Sequence, residues 1–310
     1  MSRKLAALSA MVLLLAACTN PTAGLRLTIA TGFESGVYYA LGSALANEWS
    51  AQTGIEKPVV LKTNGSADNL KRLRTGEANV AISAADVAKD QLNDFTVHKP
   101  RALARIYDDY LHIAVRADSS IQHVSDLRGK RVAIGAPSSG VEVIANRVLD
   151  MAGVAAGPNP PVVTHLTLAA SADQLQKGNI DAFFWSGGLP TKEIRQLATA
   201  MPLRLVDMND VMPRIREKYS YYSAATIPVT TYALADPTPV NTLIVPNLLL
   251  VTDDMSADAA KVLTQGVFEA QPKLAKVNTA ANSIDQRSAI ETRPVPLHEG
   301  ALQYYREIKI

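Results

Sequence analysis

Two turns in this sequence carry residues suited to holding an anion. The first reads TGFESGVYYALG at 31–42, and the second reads GAPSSGVEV at 135–143. Each turn lies between an apolar run and a helix-like run, at the N-terminus of the predicted helix. Such an N-terminus presents unpaired backbone N–H groups and about half a positive charge. Glycine allows close approach and serine adds a hydroxyl, so both turns predict contacts to carboxylate or phosphate oxygens.

A third turn, NGS at 64–66, also follows a predicted strand, and we expect Ser66 to cap the helix after it. Each turn taken alone is equally typical of an ordinary helix start. In open α/β sheets, however, ligands bind at the carboxyl ends of the strands, where all three turns would lie. Together they predict the rim of one cleft.

Residue types needed for other chemistry are sparse. The single cysteine, Cys18, cannot form an internal disulfide, and the five histidines are scattered with no pair at helical spacing. The sequence contains no HExxH, GxSxG or GxxxxGK[ST] motif. We therefore expect no catalytic residue, no metal site and no cofactor.

Composition indicates a globular protein. The chain has 310 residues, of which 47% are hydrophobic and 19% charged, enough for two compact lobes. Without Arg3 and Lys4, which lie in a segment expected to be removed, the 31 basic residues become 29 and equal the 29 acidic ones. No run of like charges occurs, so we expect no nucleic-acid surface.

The elements that would position the turns alternate between strand and helix. LRLTIA precedes a helix from about Val37, VVLKTN precedes SADNLKRLRTG, and ANVAIS precedes AADVAKDQL. The pattern restarts at RVAIGAPSSG, and Gly153 stands just past the end of the helix that follows. This predicts two α/β units with mostly parallel strands, one per lobe.

The N-terminus predicts a lipoprotein signal. Arg3 and Lys4 precede an apolar run from Leu5 to Leu15, and LAAC ends at Cys18. A membrane anchor and an ordinary cleaved signal are the alternatives. The run is shorter than the ~20 residues that span a bilayer, and the only cysteine stands where lipid attachment requires a thiol. We expect residues 1–17 to be removed, Cys18 to carry lipid, and 18–24 to form a tether. The protein would then be extracytoplasmic, on the outer face of the cell membrane or in the periplasm.

The chain resembles a known family, the TAXI-family solute-binding proteins of TRAP transporters. The resemblance spans nearly the whole mature chain, in five blocks that occur in the family's order: TGFESGVYYALGSALA, NGSADNLKRLRTGEANVAI, DLRGKRVAIGAPSSGVEVIANRVLDMAG, GNIDAFFWSGGLP and YSYYSAATIPVTTY. The family usually has glycine where Ser138 stands, and after ARIY it tends to have a glutamate where this chain has Asp108 and Asp109. Its first turn is usually richer in glycine than Phe33–Ser35, with proline where Ala40 stands.

The resemblance implies a type II periplasmic-binding-protein fold, in which a ligand is held in the cleft between two α/β lobes. Lobe 1 would comprise 25–115 and 226–310, and lobe 2 would comprise 116–225. It implies a monomer that captures a small carboxylate, such as glutamate, glutamine or 2-oxoglutarate, and delivers it to the membrane permease of a TRAP transporter.

The candidate ligand-binding residues are those of the turns and strand ends that would line this cleft. They are Thr31, Ser35, Gly36, Val37, Tyr38, Tyr39, Asn64, Ser66, Ser83, Asp109, Pro137, Ser138, Ser139, Gly140, Val141, Trp185, Ser186 and Gly187.

Several of these residues have a second interpretation. Asp109 would accept from a ligand ammonium, or would pair with Arg105 or Arg116 at the surface. Trp185 would cover the ligand, or would only pack between the lobes, and Tyr38 and Tyr39 would reach the ligand or pack in the core. Tyr232 is a further candidate to face the cleft.

Two other functions stay open at this point. A sensor lipoprotein that reports to a histidine kinase needs the same closing cleft as a transport protein. An enzyme on the same fold would need a general acid or base, for which Glu34, Asp108 and Asp109 are the nearby candidates.

Overall fold

The computed structural model describes residues 22–310, so the predicted signal peptide and Cys18 lie outside the described residues. The strands are β1 (Thr28–Ala30), β2 (Val59–Leu61), β3 (Val80–Ala84), β4 (Pro100–Arg116), β5 (Arg131–Ala133), β6 (Val162–Thr164), β7 (Ala182–Gly187), β8 (Leu203–Leu205), β9 (Ser223–Ile227) and β10 (Val240–Thr252). The α-helices are α1 (Val37–Thr53), α2 (Ser66–Thr75), α3 (Ala85–Gln91), α4 (Gly140–Met151), α5 (Leu168–Gln176), α6 (Lys192–Ala200), α7 (Met212–Lys218), α8 (Ala257–Val277), α9 (Gln286–Ala289) and α10 (Glu299–Glu307). Short 3₁₀ turns occupy Leu92–Asp94, Val124–Leu127 and Thr279–Ser283.

The strands form one ten-stranded sheet in the order β2-β1-β3-β10-β4-β7-β5-β6, with β8 beside β4 and β9 beside β10. Pairing is parallel in the two outer parts, where β1 joins β2 and β3, and β5 joins β6 and β7. It is antiparallel in the centre, around β4 and β10. The predicted parallel pairing therefore holds only in the outer parts, because the two central strands come from distant parts of the chain.

Two long strands join the lobes. The first half of β4 pairs with β10, and its second half, from Tyr110 onward, pairs with β7 and β8. β10 pairs with β9 up to Ile244 and with β3 from Asn247. The predicted lobe boundary at 115/116 falls at the end of β4, and the one at 225/226 falls within β9. Because Ala235 still bonds to Leu203 O in lobe 2, we propose that the chain returns to lobe 1 along β10.

Glycine ends several helices where the sequence indicates it. Gly54 and Gly76 have positive φ values of 73° and 74° directly after α1 and α2. Gly153, with φ of 71°, follows α4 as expected. At the other end of α2, the N-cap is Gly65, and Ser66 is the first helical residue rather than the predicted cap.

Two of the hydrophobic clusters belong to single lobes and a third runs between them. In lobe 1, α1 packs on α8 through Trp49, whose Nε1 donates to Leu263 O at 3.1 Å. In lobe 2, Phe183 and Leu205 belong to a cluster of their own. The third cluster contains Leu70 of lobe 1 together with Val141 and residues of lobe 2. The lobes therefore share a continuous apolar contact beneath the cleft.

A buried ionic group also joins the lobes. Arg147 of α4 bonds to Asp86 of α3 at 3.2 Å and to the Tyr222 hydroxyl at 2.7 Å, and Tyr222 donates to Asp86 at 2.6 Å. The other guanidinium nitrogen contacts Asp90 at 2.5 Å, and the Tyr219 ring lies 4.7 Å from the guanidinium carbon. We call Asp86, Asp90, Arg147 and Tyr222 the inter-lobe ion cluster.

Within residues 22–310, none of the helices combines the length and the apolar character needed to cross a bilayer.

Candidate functional site

A cavity lies where the two lobes meet over β4 and β10. It encloses about 610 Å³, including its opening. Its walls come from the starts of α1, α2 and α4, the end of β7, and the middle of the two long strands. The lining residues are Gly32, Phe33, Gly36, Val37, Tyr38, Asn64, Gly65, Ser66, Ala84, Tyr107, Asp109, Ser139, Gly140, Val141, Trp185, Ser186, Gly187 and Val245.

Three helix N-termini point their first residues at this cavity. The N-caps of α1 and α2 are Gly36 and Gly65, which have no side chain to bond the first N–H groups. Ser139 caps α4, but its Oγ accepts only from Glu142 N. Elsewhere, α5, α8, α9 and α10 each have a side chain that caps their first turn, whereas α3, α6 and α7 have none. The first N–H groups of α1, α2 and α4 are therefore available to an acceptor in the cavity.

Close contact between α2 and α4 closes one side of the cavity. A Cβ placed on Gly140 would lie 3.3 Å from Ser66 Oγ and 3.8 Å from Ala84 Cβ, and one on Gly65 would lie 3.9 Å from Ser139 Cα. Gly65 has a φ of 109°, a conformation that L side chains rarely adopt. Both glycines allow the two helix starts to approach each other across the lobe boundary.

A chain of hydroxyl groups orders the polar wall. Ser66 Oγ accepts from Ala84 N at 3.1 Å and lies 3.1 Å from the Tyr38 hydroxyl, which in turn donates to Asn247 Oδ1. Because the Tyr38 proton is directed at Asn247, Ser66 must donate to Tyr38. Asn247 Nδ2 has no hydrogen-bond partner within the described structure.

Asp109 forms the floor of the cavity. It lies opposite Val245 in the β4–β10 ladder, and Tyr107 lies opposite Asn247, so these four side chains share one face. Asp109 is 93% buried, and its Oδ1 has no hydrogen-bond partner among the described residues. Burial raises the pKa of Asp109 to about 7, although the nearby Asn247 amide and Tyr107 hydroxyl oppose that rise. The predicted surface pairing does not occur, since Arg105 bonds to Asp108 at 2.6 Å instead.

Trp185 separates this cavity from a second one. Its Nε1 donates to Thr191 Oγ1 at 3.1 Å, and its ring borders both spaces. The second cavity, about 870 Å³ with its opening, is lined by Phe33, Ser35, Gly36, Val37, Thr167, Leu168, Ala169, Trp185, Gly188, Leu189, Pro190, Thr191, Lys192, Glu193 and Asn278. Trp185 therefore lies in the wall between the two cavities, and its predicted role in covering a ligand stays a prediction.

Behind Trp185 lies a buried polar pair. His112 Nε2 is 3.0 Å from the Tyr232 hydroxyl, which accepts from Thr191 N at 2.9 Å. Burial lowers the pKa of His112 to about 4, so its ring is neutral at neutral pH. Tyr232 lines neither cavity, and its predicted position facing the cleft does not occur because its hydroxyl is held in this network.

The structure brings most of the predicted residues to the first cavity: Gly36, Val37, Tyr38, Asn64, Ser66, Asp109, Ser139, Gly140, Val141, Trp185, Ser186 and Gly187. Ser35 lines the second cavity. The Ser139 N–H is not available to a ligand as expected, because it donates to Ala136 O within the turn.

Five predicted residues line neither cavity. Thr31 is buried beneath the first turn, where its Oγ1 donates to Leu61 O, and Ser83 is buried with its Oγ on Ala84 O. Tyr39 turns away from the cavity and lies under Lys62, 5.5 Å from its ammonium. Pro137 and Ser138 are exposed, and the Ser138 N–H donates to Glu142.

Sequence reasoning missed six lining residues, namely Gly32, Phe33, Gly65, Ala84, Tyr107 and Val245. Gly32, Phe33 and Gly65 lie inside the turns that were singled out. Tyr107 and Val245 share the ladder face of Asp109, so the period of two along a strand would have found Tyr107 once Asp109 was placed.

One group of side chains within residues 22–310 has the geometry to hold a cation: His98, Asp253 and Asp254. All three are exposed and line neither cavity. Among the described residues, those that line the first cavity include one carboxylate, Asp109, which is fewer ligands than a metal site requires.

A two-lobed α/β fold with a cavity at the crossing strands is the architecture of periplasmic solute-binding proteins, and the fold prediction is confirmed by solved structures. XAC2383 from Xanthomonas citri bound to ATP superimposes with a TM-score of 0.57 at 16% identity, over 91% of this chain and 95% of that one. The periplasmic aliphatic sulphonate binding protein SsuA from Escherichia coli gives 0.51 at 15%, over 91% and 82%. The GluR0 ligand-binding core in complex with L-glutamate gives 0.50 at 10%, over 83% and 97%.

The family model of the NMT1-like family matches residues 29–308. The chain belongs to the NMT1-like family.

Proposed function

We propose that this protein is an extracytoplasmic solute-binding protein that captures a small carboxylate between its lobes and delivers it to a membrane transporter. The observation that carries this proposal is the convergence of three helix N-termini, two of them without side-chain caps, on one cavity at the lobe junction. Backbone N–H groups in this arrangement bind anionic oxygens. The similar proteins described above were solved with, or named for, the anions ATP, sulphonate and L-glutamate.

We propose the permease of a TRAP transporter as the partner. Support comes from the resemblance of five sequence blocks to the TAXI family, whose members serve such permeases. A solute-binding protein of this kind needs no catalytic group, and Asp109 is the one carboxylate among the described residues that line the cavity. Reconstitution in vesicles with a TRAP permease, and an ion gradient as the energy source, tests the partnership.

We also propose that Cys18 anchors the protein by lipid. Since only its thiol can be acylated in this chain, a Cys18→Ala variant should incorporate no labelled fatty acid in cells. Equal labelling of the variant and the wild type would refute the anchor without affecting the binding proposal.

Anion capture by backbone groups is tested at Val37, the first helical residue of α1. Proline is tolerated at this position and removes one N–H from the cavity. Gly36 already has an extended conformation, with φ of −88° and ψ of 160°, which proline requires of the residue before it. A Val37→Pro variant should bind carboxylates roughly tenfold more weakly or worse, the equivalent of one charge-assisted hydrogen bond.

Val37→Ala is the matched control, because it shortens the side chain but keeps the N–H. A thermal-shift screen of amino acids, dicarboxylates, sugars and phosphate esters identifies the ligand, since saturating ligand stabilises the folded state. A neutral sugar as the single hit, or equal carboxylate binding by both variants, would overturn the proposal.

A further inference from the structure

The charges around the cavity are unusual for a site that takes an anion. Among the described residues that line it, Asp109 is the one charged side chain, and none is lysine or arginine. Lys62 lies outside, paired with Glu34 at 2.6 Å on the surface. Lys192 borders the second cavity, beside Glu193. Positive potential inside the first cavity therefore comes from the helix N-termini alone.

One carboxyl oxygen of Asp109 has no hydrogen-bond partner among the described residues, although the Asn247 amide and the Tyr107 hydroxyl interact with the carboxyl. Its Oδ1 is buried and unpaired at the cavity floor, and such an acceptor is costly to leave without a partner. The Asp109 carboxyl lines the cavity floor and keeps a small exposed fraction there, so it can contact a ligand in the cavity.

Charge balance limits what that ligand can be. Three helix N-termini contribute about half a positive charge each. They can offset one ligand carboxylate together with part of the charge on Asp109. A second ligand carboxylate would be buried with no cation to pair with, which is strongly unfavourable. A ligand ammonium would instead neutralise Asp109.

The remaining walls are apolar. Phe33, Val37, Val141, Trp185 and Val245 surround the space between the helix starts and the floor. A ligand side chain among these residues gains from burial of its own apolar surface.

We propose that the ligand is a zwitterionic amino acid with an uncharged, largely apolar side chain. Its carboxylate bonds to the N-termini of α1, α2 and α4, and its ammonium donates to the Asp109 carboxylate. This inference rests on the proposed capture of a carboxylate. It narrows the class of ligand, because acidic amino acids and keto diacids are excluded.

Binding should then depend on the ionisation of Asp109. Two carboxylates act on Asp109 electrostatically, Asp86 from α3 and Asp108 from β4, and their negative charges favour its protonated form. The hydroxyls of Tyr38 and Tyr107 also lie near it. The lobe 2 wall, from Ser139 to Val141 and Trp185 to Gly187, adds no group that titrates near neutral pH. Affinity for an amino acid should rise with pH up to about neutrality and then level off, whereas affinity for a keto acid should fall.

Matched ligands test the proposal by isothermal titration calorimetry on the full mature protein at pH 7.5. Leucine, valine and phenylalanine are each compared with the corresponding 2-oxo acid, which differs by the ammonium, and all are compared with glutamate and 2-oxoglutarate. We expect at least one apolar amino acid to bind tenfold or more tightly than its 2-oxo acid, and more tightly than glutamate. Asp109→Asn should reduce the first ratio at least tenfold, while Asp118→Asn, exposed just past the end of β4 and paired with Arg116, should leave it unchanged.

The outcomes separate this inference from the proposed function. If none of these carboxylates binds, capture of a carboxylate fails and the inference fails with it. If a 2-oxo acid binds best, capture of a carboxylate stands and the zwitterionic ligand is overturned. If glutamate binds best, capture stands and the uncharged, apolar side chain of the proposed ligand is overturned. Loss of glutamate binding in Lys192→Ala would then show that a second carboxylate reaches the second cavity. An unchanged ratio in a folded Asp109→Asn variant would also overturn the inference.

Discussion

Asp108 and Asp109 are adjacent in one strand and have opposite surroundings. Asp108 bonds to Arg105 on one face of β4, whereas Asp109 lies on the other face, at the floor of the cavity. Alternation of side chains along a strand produces this difference. Burial disfavours the charged form of Asp109 and raises its pKa, because no cation among the described residues lies beside it to offset that effect.

The contribution of Asp109 to the stability of the ligand-free protein should decrease as the pH rises from about 4 to about 7. The carboxyl of Asp109 titrates near 3.9 in the unfolded chain and at about 7 in the folded protein. Between these values the folded state holds a proton that the unfolded state has released, so the free energy of unfolding falls as pH rises. Relative to wild type, an Asp109→Asn variant should be equally stable at pH 4 and more stable at pH 8, by up to a few kcal/mol.

Denaturant unfolding of both proteins across this pH range measures the difference. Comparison with the Asn variant removes the contribution of other titrating groups, His112 among them. A difference that does not change with pH would contradict the raised pKa.

Ser138 has a strained backbone, with φ of 62°. The left-handed conformation costs an L residue about 1–2 kcal/mol, and glycine avoids that cost. Since Ser138 is exposed and its N–H would be kept, Ser138→Gly should raise the free energy of unfolding by up to about 1 kcal/mol.

Ser220, exposed in a turn without positive φ, provides the matched control. Ser220→Gly should lower stability slightly, because glycine makes the unfolded chain more flexible. Chemical denaturation of both variants tests the contrast, and equal destabilisation would show that the strain at 138 is absent.

At the scale of elements, α3 and α4 meet through the inter-lobe ion cluster. Asp86 is fully buried, and its pKa is raised by burial despite bonds from Tyr222 and Arg147. A buried pair of this kind contributes little net stability, but removal of one partner leaves an unpaired charge. The cluster therefore fixes how the two helices pack.

Arg147→Met should cost about 3–5 kcal/mol, because it leaves Asp86 buried without its cation. The double variant Asp86→Asn, Arg147→Met should recover much of that loss, which a double-mutant cycle by urea unfolding measures. Arg131→Met, which breaks the more exposed pair with Asp181, should cost no more than about 1 kcal/mol. Equal losses at 131 and 147 would show that the cluster is not effectively buried.

Local sequence patterns predicted the turns and helix N-termini that form the walls of the site. Glycine and serine between an apolar run and a helix located the turns before α1 and α4, and most of the predicted residues there line a cavity. Position along the turn was less certain. Thr31, Pro137 and Ser138 belong to the same turns but point away, because backbone bonding within a turn decides which residues face inward.

The site residues on the two long strands, β4 and β10, could not be predicted in the same way. Periodicity places Asp108 and Asp109 on opposite faces but does not say which face meets the cavity, since that depends on the register with β10. Val245 and Asn247 reach the site only through this register, from more than 130 residues away along the chain. The antiparallel centre of the sheet was missed for the same reason.

For the molecule as a whole, the close contact between α2 and α4 defines an arrangement in which the lobes are closed on that side. A ligand bound between the lobes favours the closed state, by an amount set by the difference between its affinities for the closed and open states. The small residues at this contact, Gly65 and Gly140, therefore control how far the lobes can approach.

Gly140→Val should hold the lobes apart. Its added atoms would meet Ser66 and Ala84, already 3.3 Å and 3.8 Å from the position of a Cβ. We expect a larger radius of gyration by small-angle X-ray scattering with saturating ligand, and ligand binding at least tenfold weaker. Asn146→Val, exposed on the same helix, should change neither quantity. A normal radius and affinity in Gly140→Val would mean that this contact does not limit closure.

The position of β10 also bears on the order in which the protein can fold. Among the described residues, β3 and β4 follow each other in sequence, yet in the sheet they are separated by β10, which is completed only at Thr252. During synthesis, the sheet of lobe 1 must therefore wait until lobe 2 has been made in full. Pairings between such distant segments form slowly, because a long loop must close before they are stabilised. A chain built in this way remains incompletely folded until β10 has emerged, when the last sixty or so residues are still to be made. This delay favours passage across a membrane before the native state forms.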